Sequence, residues 1–230
     1  MLNDLSIIIP ARNEKENIEV FLPELKKICS DIIVVDGHSN DGTSQLCDEK
    51  KVTYLLDNKL GKGDAQRLAA NKAKYENIIF FDGDGSHDIN DIPKIYNLLI
   101  HGNDSVLTSR ITGGSLDVVS NNSLIGFIRF TGSNLITLIF NKLFKSNFTE
   151  TLYSFRGIKK KVFLDLMTQE NGFGIEIEMI YLLIKNKKKI IEIPSRERKR
   201  IFGISKLNTF SGVYFIYQCI KYYFKNKFNA

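Results

Sequence analysis

Short apolar runs alternate with segments of helical period along the first half of the chain. The apolar runs are rich in β-branched and aromatic residues, which is typical of strands buried on both faces. They cover residues 5–10, 31–36, 52–56, 77–81 and 105–108. Between them, residues 18–28, 62–75 and 91–101 predict helices, and Asn13 with Glu16 predicts a capping box before the first helix. This alternation predicts a mostly parallel α/β sheet with flanking helices on both faces.

The second half of the chain opens with a Gly113-Gly114 loop and an apolar stretch over residues 124–144, which predicts an amphipathic helix or a helix pair. The strand and helix pattern then resumes and includes a strand at residues 190–194. A basic segment follows, and an aromatic helix is predicted over residues 209–225. Because no internal repeat or low-complexity linker separates these parts, we expect a single domain over residues 1–230.

Size and composition fit one hydrophobic core, since 43% of the 230 residues are hydrophobic. Cys29, Cys47 and Cys219 show no paired spacing, so reduced thiols and a cytoplasmic location are expected. The N-terminus, MLNDLSIIIP, lacks the basic and long apolar regions of a signal peptide. No run reaches the roughly 18–20 apolar residues that span a bilayer, so the sequence predicts a soluble protein.

Polar residues follow three of the predicted strands. Residues 10–14 read PARNE, residues 36–42 read DGHSNDG and residues 82–88 read DGDGSHD. Open α/β sheets bind their ligands at the carboxyl ends of the strands. We therefore expect these three loops to share one ligand-binding rim.

The Asp82-Gly83-Asp84 segment is the sharpest chemical signal. Two carboxylates two residues apart at a strand end point roughly the same way, and their like charges are costly unless a cation neutralises them. Oxygen ligands suit Mg²⁺ or Mn²⁺, whose shell substrate phosphates often complete. A solvated turn explains the same residues, because Asp and Gly are ordinary turn residues.

Two further loops allow both a structural and a functional interpretation. Asp36 begins a turn that caps the next helix, or its carboxylate accepts hydrogen bonds from a base or ribose. Gly61-Lys62-Gly63 lacks the full spacing of a phosphate loop, although we count Lys62 among the candidate ligand-binding residues. Without that loop, and without GxGxxG after the first strand, an ATPase and a dinucleotide-dependent oxidoreductase are disfavoured.

The positive charge of the chain is concentrated near its C-terminal end. The net charge is +6, and much of the excess lies in residues 185–189 and 196–206. Arginine side chains there suit a diphosphate, through bidentate hydrogen bonds. An anionic membrane surface or a nucleic acid would be attracted to the same positive charge. Charge alone does not distinguish these two ligands from a diphosphate.

Taken together, these segments resemble the family 2 glycosyltransferases, in the dolichol-phosphate mannosyltransferase-like or polyprenyl-phosphate glycosyltransferase branch. The matching blocks occur in the family's order over almost the whole chain: SIIIPARNEKENI, IIVVDGHSNDGT, LGKGDAQRLAANKA, IIFFDGDGSHDINDIPKI, TSR, ETLYSFRGI, GFGIEIEM and EIPSRERKRIFGISKL. The resemblance implies a Rossmann-like α/β fold of the GT-A type. It also implies that residues 1–110 bind a nucleotide sugar and residues 111–230 bind the acceptor.

The resemblance assigns donor-binding roles at the first two strand ends. Pro10, Asn13 and Glu14 match the family's opening nucleotide-binding loop, and Asp36 matches the aspartate that contacts the base or ribose. Lys62 is also counted among the residues that bind the nucleotide sugar.

The resemblance also assigns metal and phosphate ligands. Asp82 and Asp84 match the family's DxD pair, with Asp84 binding the metal and Asp82 lying near the ribose or metal. Ser86 stands where some relatives place a further metal ligand. Arg200 and Lys206 match the basic residues of the R-x-x-G-x-S-K segment, which close over the diphosphate or the acceptor phosphate.

The activity that the resemblance implies is sugar transfer from a UDP- or GDP-sugar, with Mg²⁺ or Mn²⁺ and with inversion. The acceptor would be a polyprenyl or dolichyl phosphate, or a cell-envelope glycan precursor. A lipid phosphate needs little general-base help, whereas a hydroxyl needs a base, for which Glu176 or Glu178 is the candidate, with Glu176 favoured. The chain departs from the pattern on the acceptor side, where Glu150 replaces an aspartate and Ser154 a glycine, while Arg156 matches.

Two other classes stay open, namely a nucleotidyltransferase acting on sugar phosphates and a non-catalytic module that binds nucleotide sugars; no nucleic acid partner is expected. Residues 124–144 and the aromatic, lysine-rich end of the chain suit peripheral contact with the cytoplasmic face of a membrane. Ordinary packing of the terminal helix explains the same aromatic residues.

Overall fold

A computed structural model describes residues 1–115, 124–203 and 211–228. Its strands are β1 (Leu2–Ala11), β2 (Cys29–Asp36), β3 (Thr53–Leu56), β4 (Asn77–Phe80), β5 (Ser105–Ser109), β6 (Arg156–Lys159) and β7 (Ile190–Pro194). Its helices are α1 (Lys15–Ile28), α2 (Thr43–Glu49), α3 (Lys62–Lys72), α4 (Ile92–Ile100), α5 (Leu124–Phe144), α6 (Lys160–Asp165), α7 (Ile175–Lys185) and α8 (Ser211–Phe228).

The strands form one seven-stranded sheet in the order β3-β2-β1-β4-β6-β5-β7. β1 pairs in parallel with β2 and β4, and β5 pairs in parallel with β7. β6 is the exception, because it returns antiparallel between β4 and β5. The prediction of a mostly parallel sheet is confirmed, and the carboxyl ends of β1, β2 and β4 lie at one edge.

Helices cover both faces of the sheet, as the apolar pattern predicts. In β1, Ile7 and Ile9 join one core cluster, while Ile8 joins the other, because successive strand residues point to opposite faces. The first cluster packs α1 and α4 on the sheet, and the second packs α3, α6 and α7. All three isoleucines are fully buried, which stabilises the fold by roughly 1.5–3 kcal/mol for each side chain.

A third apolar cluster joins α5 to α8 beside the sheet. Ile136 and Phe140 of α5 pack with Phe215, Cys219 and Tyr222 of α8. α5 is one continuous helix, so residues 124–144 form the single helix and not the helix pair that the sequence also allowed. Within residues 1–115, 124–203 and 211–228, no helix has the length and apolar character needed to cross a bilayer.

The predicted capping box before α1 is wrong. Asn13 adopts a left-handed backbone with φ of 52°, and α1 begins two residues later without a side-chain cap from its own N-terminal residue. The Asn13 side chain instead accepts a hydrogen bond from the backbone N–H of Asn40. The Asp41 carboxylate accepts a hydrogen bond from the Lys15 N–H at 2.9 Å, so a side chain from the loop after β2 caps the first N–H of α1.

Candidate active site

A cleft of about 1630 Å³ lies over the carboxyl ends of β1, β2 and β4 and extends to α5 and α8. Its volume exceeds the roughly 300–1,000 Å³ of most small-ligand pockets, so it offers room for two ligands. Asp82, Asp84 and Ser86 line it at the end of β4. All three predicted rim loops therefore line the cleft, because the β1 loop contributes Pro10 and Glu14 and the β2 loop contributes Gly37 and His38.

Asp82 is held by three neighbours. Lys62 Nζ donates to its Oδ1 at 2.8 Å, and Ser154 Oγ donates to its Oδ2 at 2.5 Å. The Asp82 backbone N–H donates to His87 Nδ1 at 3.1 Å, and burial lowers the pKa of His87 to about 4, so this ring is neutral at pH 7. Burial opposes the charge on Asp82, but the Lys62 ammonium and the hydrogen bonds from Lys62 and Ser154 together hold the pKa of that carboxyl well below its usual range.

Lys62 connects Asp82 to Glu176. Its Nζ lies 3.2 Å from Glu176 Oε1, and both side chains are almost fully buried. Burial lowers the pKa of Lys62, whereas the Asp82 and Glu176 carboxylates raise it, and the net shift is upward. The first turn of α3 and the first turn of α7 thus meet through one buried cation, which brings Lys62, Asp82 and Glu176 together as candidate site residues.

Glycines before and within α3 allow this approach. The Gly63 N–H donates to the Asn171 carbonyl at 2.7 Å, and a Cβ at Gly63 would lie 2.1 Å from the Glu170 carbonyl oxygen. Gly61 has a φ of 120°, a region that favours glycine. Close packing of α3 against the loop before α7 explains both glycines of the Gly61-Lys62-Gly63 segment.

Asp84 is engaged through both carboxylate oxygens. Its Oδ1 accepts hydrogen bonds from Ser86 N at 3.0 Å and Ser86 Oγ at 2.7 Å. Its Oδ2 accepts a hydrogen bond from Arg200 Nη2 at 2.8 Å. Arg200 Nη1 also donates to both oxygens of Glu14, at 2.9 and 3.1 Å. Glu14 from the β1 end and Asp84 from the β4 end thus share one guanidinium.

The chemistry of this cluster fits an oxygen-ligated divalent ion. Asp84 and Ser86 present carboxylate and hydroxyl oxygens, which Mg²⁺ and Mn²⁺ accept. Among the residues that the structure describes, no group of three or more His, Cys, Asp or Glu side chains is placed to hold a metal. Such a set suits a metal that completes its shell with substrate phosphates, and Lys62 and Arg200 balance part of the carboxylate charge.

The remaining donor-side candidates lie at different depths. Pro10 and Glu14 line the cleft, whereas Asn13 is exposed, and its backbone N–H donates a hydrogen bond to Ser39 Oγ in the β2 loop at 2.7 Å. Asp36 is only 1% exposed and accepts hydrogen bonds from Ser39 N and from Tyr54 OH at 2.8 Å. Its contact with a base or ribose stays a prediction.

Asp57 and His38 form the cleft wall beside Asp36. His38 belongs to the predicted rim loop of residues 36–42, whereas the sequence interpretation missed Asp57. His38 Nε2 lies 3.5 Å from Asp57 Oδ1 and 3.0 Å from the Asp57 carbonyl oxygen. Both residues line the cleft. Asp57 directly follows the third predicted strand, so the strand-end rule that identified the other rim loops would have found it.

Arg110, directly after β5, also lines the cleft and was likewise missed as a site residue. Arg110 Nε donates to Glu150 Oε1 at 2.8 Å, and its Nη1 lies 3.1 Å from Glu197 Oε2. Its guanidinium lies 4.6 Å from the Tyr153 ring centroid. Burial lowers the pKa of Arg110, but the two carboxylates outweigh this and raise it. Glu150 thus serves as a buried partner of Arg110.

The basic segment after β7 crosses the edge of the cleft. Arg198 N donates to the Ser86 carbonyl at 2.7 Å, and the Arg198 side chain pairs with Asp88 at 2.9 Å. Phe202 and Asn17 exchange two hydrogen bonds, each of 3.2 Å. These contacts bring Arg200 to Asp84, as the metal and phosphate assignment requires. Lys206 lies outside the described residues.

Residues 6–167 match the family model described as glycosyl transferase family 2. Glycosyltransferase AglJ of Haloferax volcanii is 27% identical over 193 residues, covering 82% of this chain and 61% of its own length. This chain therefore spans less than two thirds of that relative. A polyprenol monophosphomannose synthase of Mycolicibacterium smegmatis is 25% identical over 227 residues, covering 88% of this chain and 80% of the relative.

Solved structures share the fold. A glucosyl-3-phosphoglycerate synthase from Mycobacterium tuberculosis, crystallised with Mn²⁺, UDP-glucose and phosphoglyceric acid, superposes with a TM-score of 0.71 at 16% identity. The match covers 95% of this chain and 80% of that one. At this identity the likeness establishes architecture alone, and it confirms the GT-A type expected for the sheet.

Proposed function

The chain belongs to glycosyl transferase family 2 and is a glycosyltransferase, and we propose that it transfers a sugar from a UDP- or GDP-sugar to a polyprenyl phosphate. One observation carries this proposal: Asp82 and Asp84, each bonded to a basic side chain, lie at the strand ends of one large cleft. Membership in the family removes the nucleotidyltransferase and the non-catalytic binding module from consideration.

The donor diphosphate would lie between Asp84 and the basic side chains. In the transfer, an acceptor oxygen forms a bond to the anomeric carbon, and the bond from that carbon to the diphosphate breaks with inversion. The departing diphosphate takes the electron pair, so preorganised positive charge lowers the barrier. Arg200 is the described side chain best placed to supply it, and Lys62 keeps Asp82 ionised and oriented. A divalent ion held by Asp84, with Ser86 beside it, would add positive charge at the same oxygens.

The acceptor half of the cleft supports a lipid phosphate. Ile128, Ile136, Phe215 and Ile216 give that end an apolar lining, and Arg129, which follows Ile128 on α5, lies in the same lining. An apolar wall beside a cation suits a chain that ends in a phosphate. The polyprenol monophosphomannose synthase among the relatives supports the same acceptor class.

Glu176 takes a different role if the acceptor is a hydroxyl of a cell-envelope glycan precursor. Its Oε1 is paired with Lys62, while its buried Oε2 has no hydrogen-bond partner among the described residues. That oxygen is available to accept a proton from a hydroxyl. With a lipid phosphate the acceptor is already an anion, so Glu176 is not required as a base.

Peripheral contact with an anionic membrane surface is part of the proposal. α5 and α8 contain no acidic residue and carry exposed apolar side chains, among them Leu138, Val213 and Tyr217 at 66%, 73% and 58% exposure. α8 ends in Lys225 and Lys227. Exposed apolar and aromatic side chains flanked by lysines suit a membrane interface. Such contact would present a membrane-borne phosphate to the cleft.

The direct test incubates the purified protein with radiolabelled UDP-glucose, UDP-N-acetylglucosamine or GDP-mannose, Mn²⁺ and undecaprenyl or dolichyl phosphate. We expect label to enter the organic phase with one donor. Asp84→Asn should reduce the rate at least about 100-fold, whereas Lys161→Met, at an exposed position of α6, should not. Transfer to unphosphorylated polyprenol would contradict the acceptor assignment, and failure of every donor with every acceptor would contradict the function.

A further inference from the structure

Arg200 bridges two acidic side chains that come from different strands. It donates through Nη2 to Asp84 at 2.8 Å and through Nη1 to both oxygens of Glu14. The Glu14 side chain is 6% exposed, and Asn17 Nδ2 donates to it at 2.7 Å. Arg200 therefore has a second, well-held carboxylate besides Asp84.

The backbone around Arg200 is fixed independently of that bridge. Arg198 N donates to the Ser86 carbonyl, and Phe202 exchanges two hydrogen bonds with the Asn17 side chain. Arg200 lies between these anchors, so its guanidinium reaches the carboxylates without ordering a free loop. Loss of the Asp84 contact would consequently not release the segment.

The metal proposed at Asp84 and the guanidinium compete for the same oxygen. Ser86 donates twice to Oδ1, and Arg200 donates to Oδ2. A divalent ion about 2.1 Å from Oδ2 would lie next to the guanidinium, and two cations repel at that separation. A metal that binds without a diphosphate must therefore displace the Arg200 guanidinium from Asp84, or its binding is weakened by repulsion from that guanidinium.

The charge balance changes when a diphosphate arrives with the metal. Asp84, Glu14 and Arg200 together carry one net negative charge, which a divalent ion alone would reverse. The doubly charged diphosphate of a nucleotide sugar cancels the charge of the ion and restores the original balance. It also offers Arg200 phosphate oxygens suited to bidentate hydrogen bonds.

We propose that Arg200 holds the metal-binding oxygen of Asp84 and yields it only when metal and donor diphosphate bind together. Arg200 thereby couples the two binding events and disfavours a metal-loaded site without donor. This inference rests on the proposed function and adds a binding order to it. It assigns to Arg200 a role before the reaction, in addition to its role at the departing diphosphate.

The test measures Mn²⁺ binding by electron paramagnetic resonance, with and without UDP or GDP. Wild-type protein should bind Mn²⁺ weakly alone, and the preferred nucleotide should strengthen that binding by about 5–150-fold, the usual range of coupling between sites. In Arg200→Gln, Mn²⁺ alone should bind about tenfold more tightly, and the effect of the nucleotide should shrink. The Mn²⁺ affinity without nucleotide should thus rise while the enhancement by the nucleotide falls, which a purely structural defect would not produce.

Two further variants make the result specific. Arg198→Gln removes a neighbouring cation that pairs with Asp88 and should leave Mn²⁺ binding unchanged. Arg200→Lys keeps one positive charge but loses the planar guanidinium that donates to Asp84 and Glu14 through separate nitrogens, so its Mn²⁺ affinity should fall between wild type and Arg200→Gln. Circular dichroism confirms that each variant is folded.

The outcomes separate this inference from the proposed function. If wild type binds no Mn²⁺ with either nucleotide, the proposed metal-linked donor site is wrong. If wild type shows the coupling but Arg200→Gln binds Mn²⁺ no more tightly and keeps the full nucleotide effect, only the role of Arg200 is overturned.

Discussion

At the scale of single residues, the site is a chain of buried opposite charges. Ser154 and Lys62 bind the two oxygens of Asp82, and Lys62 continues to Glu176. Each charge in such a chain depends on its neighbour, because an unpaired ion in a buried position is costly. The order of the site therefore depends on Lys62 more than on any other member of the chain.

Lys62→Met should destabilise the protein by about 3–5 kcal/mol, since it leaves Asp82 and Glu176 without their shared cation. Urea denaturation monitored by circular dichroism measures the change. Lys161→Met is the matched control, because the Lys161–Asp165 pair is 78% and 53% exposed and is worth at most about 0.5–1 kcal/mol. Equal effects of the two substitutions would contradict the buried-pair interpretation.

At the scale of elements, helix starts bring the site residues together. α3 begins at Lys62 and α7 at Ile175, and the loop before α7 packs directly on Gly63. The approach is close enough that glycine is the residue that fits. The distance between Lys62 and Glu176 thus depends on a backbone contact as well as on charge.

Gly63→Ala should lower stability by about 1–3 kcal/mol, because a methyl group would overlap the Glu170 carbonyl. Gly132→Ala is the control: it also lies within a helix, but a Cβ there meets nothing within 4 Å. That substitution should be neutral or stabilising by up to about 1 kcal/mol, as helix propensity predicts. A Gly63→Ala variant as stable as Gly132→Ala would show that the contact can relax freely.

Local patterns predicted the elements better than the contacts between them. Strands β1, β2, β4 and β5 were predictable because each contains a short apolar run. Asp82 and Asp84 were predictable as site residues because they follow the apolar run of β4. The bridge from Arg200 to Glu14 joins residues 186 positions apart, which no local pattern encodes. The capping of Lys15 by Asp41 and the antiparallel insertion of β6 were missed for the same reason.

At the scale of the whole molecule, the exposed apolar faces of α5 and α8 lie beside the part of the cleft that we propose binds the acceptor. α5 and α8 pack on each other, and both contribute residues to the cleft lining. A membrane in contact with these faces would lie next to the cleft. The position of this surface links the proposed lipid acceptor to the proposed peripheral contact.

Leu138→Glu combined with Tyr217→Glu should weaken binding to vesicles that contain anionic phospholipid by about tenfold or more, because each change removes an exposed apolar side chain and adds negative charge. Co-sedimentation with the vesicles measures this binding. Val20→Glu, a 54% exposed position on α1, should bind like wild type. Unchanged binding of the double variant would exclude this surface as the contact.

The proposed sugar transfer requires metal-linked binding of a nucleoside diphosphate at Asp84. Thermal unfolding with Mn²⁺ and a panel of UDP- and GDP-sugars tests it, in wild type and in Asp84→Asn. A donor at about 100 times its Kd should raise the Tm of wild type by about 5–10 °C, with little or no rise in the variant or when EDTA replaces Mn²⁺. No rise with any nucleotide sugar, or an equal rise in Asp84→Asn, would show that Asp84 does not hold a metal-linked nucleotide sugar.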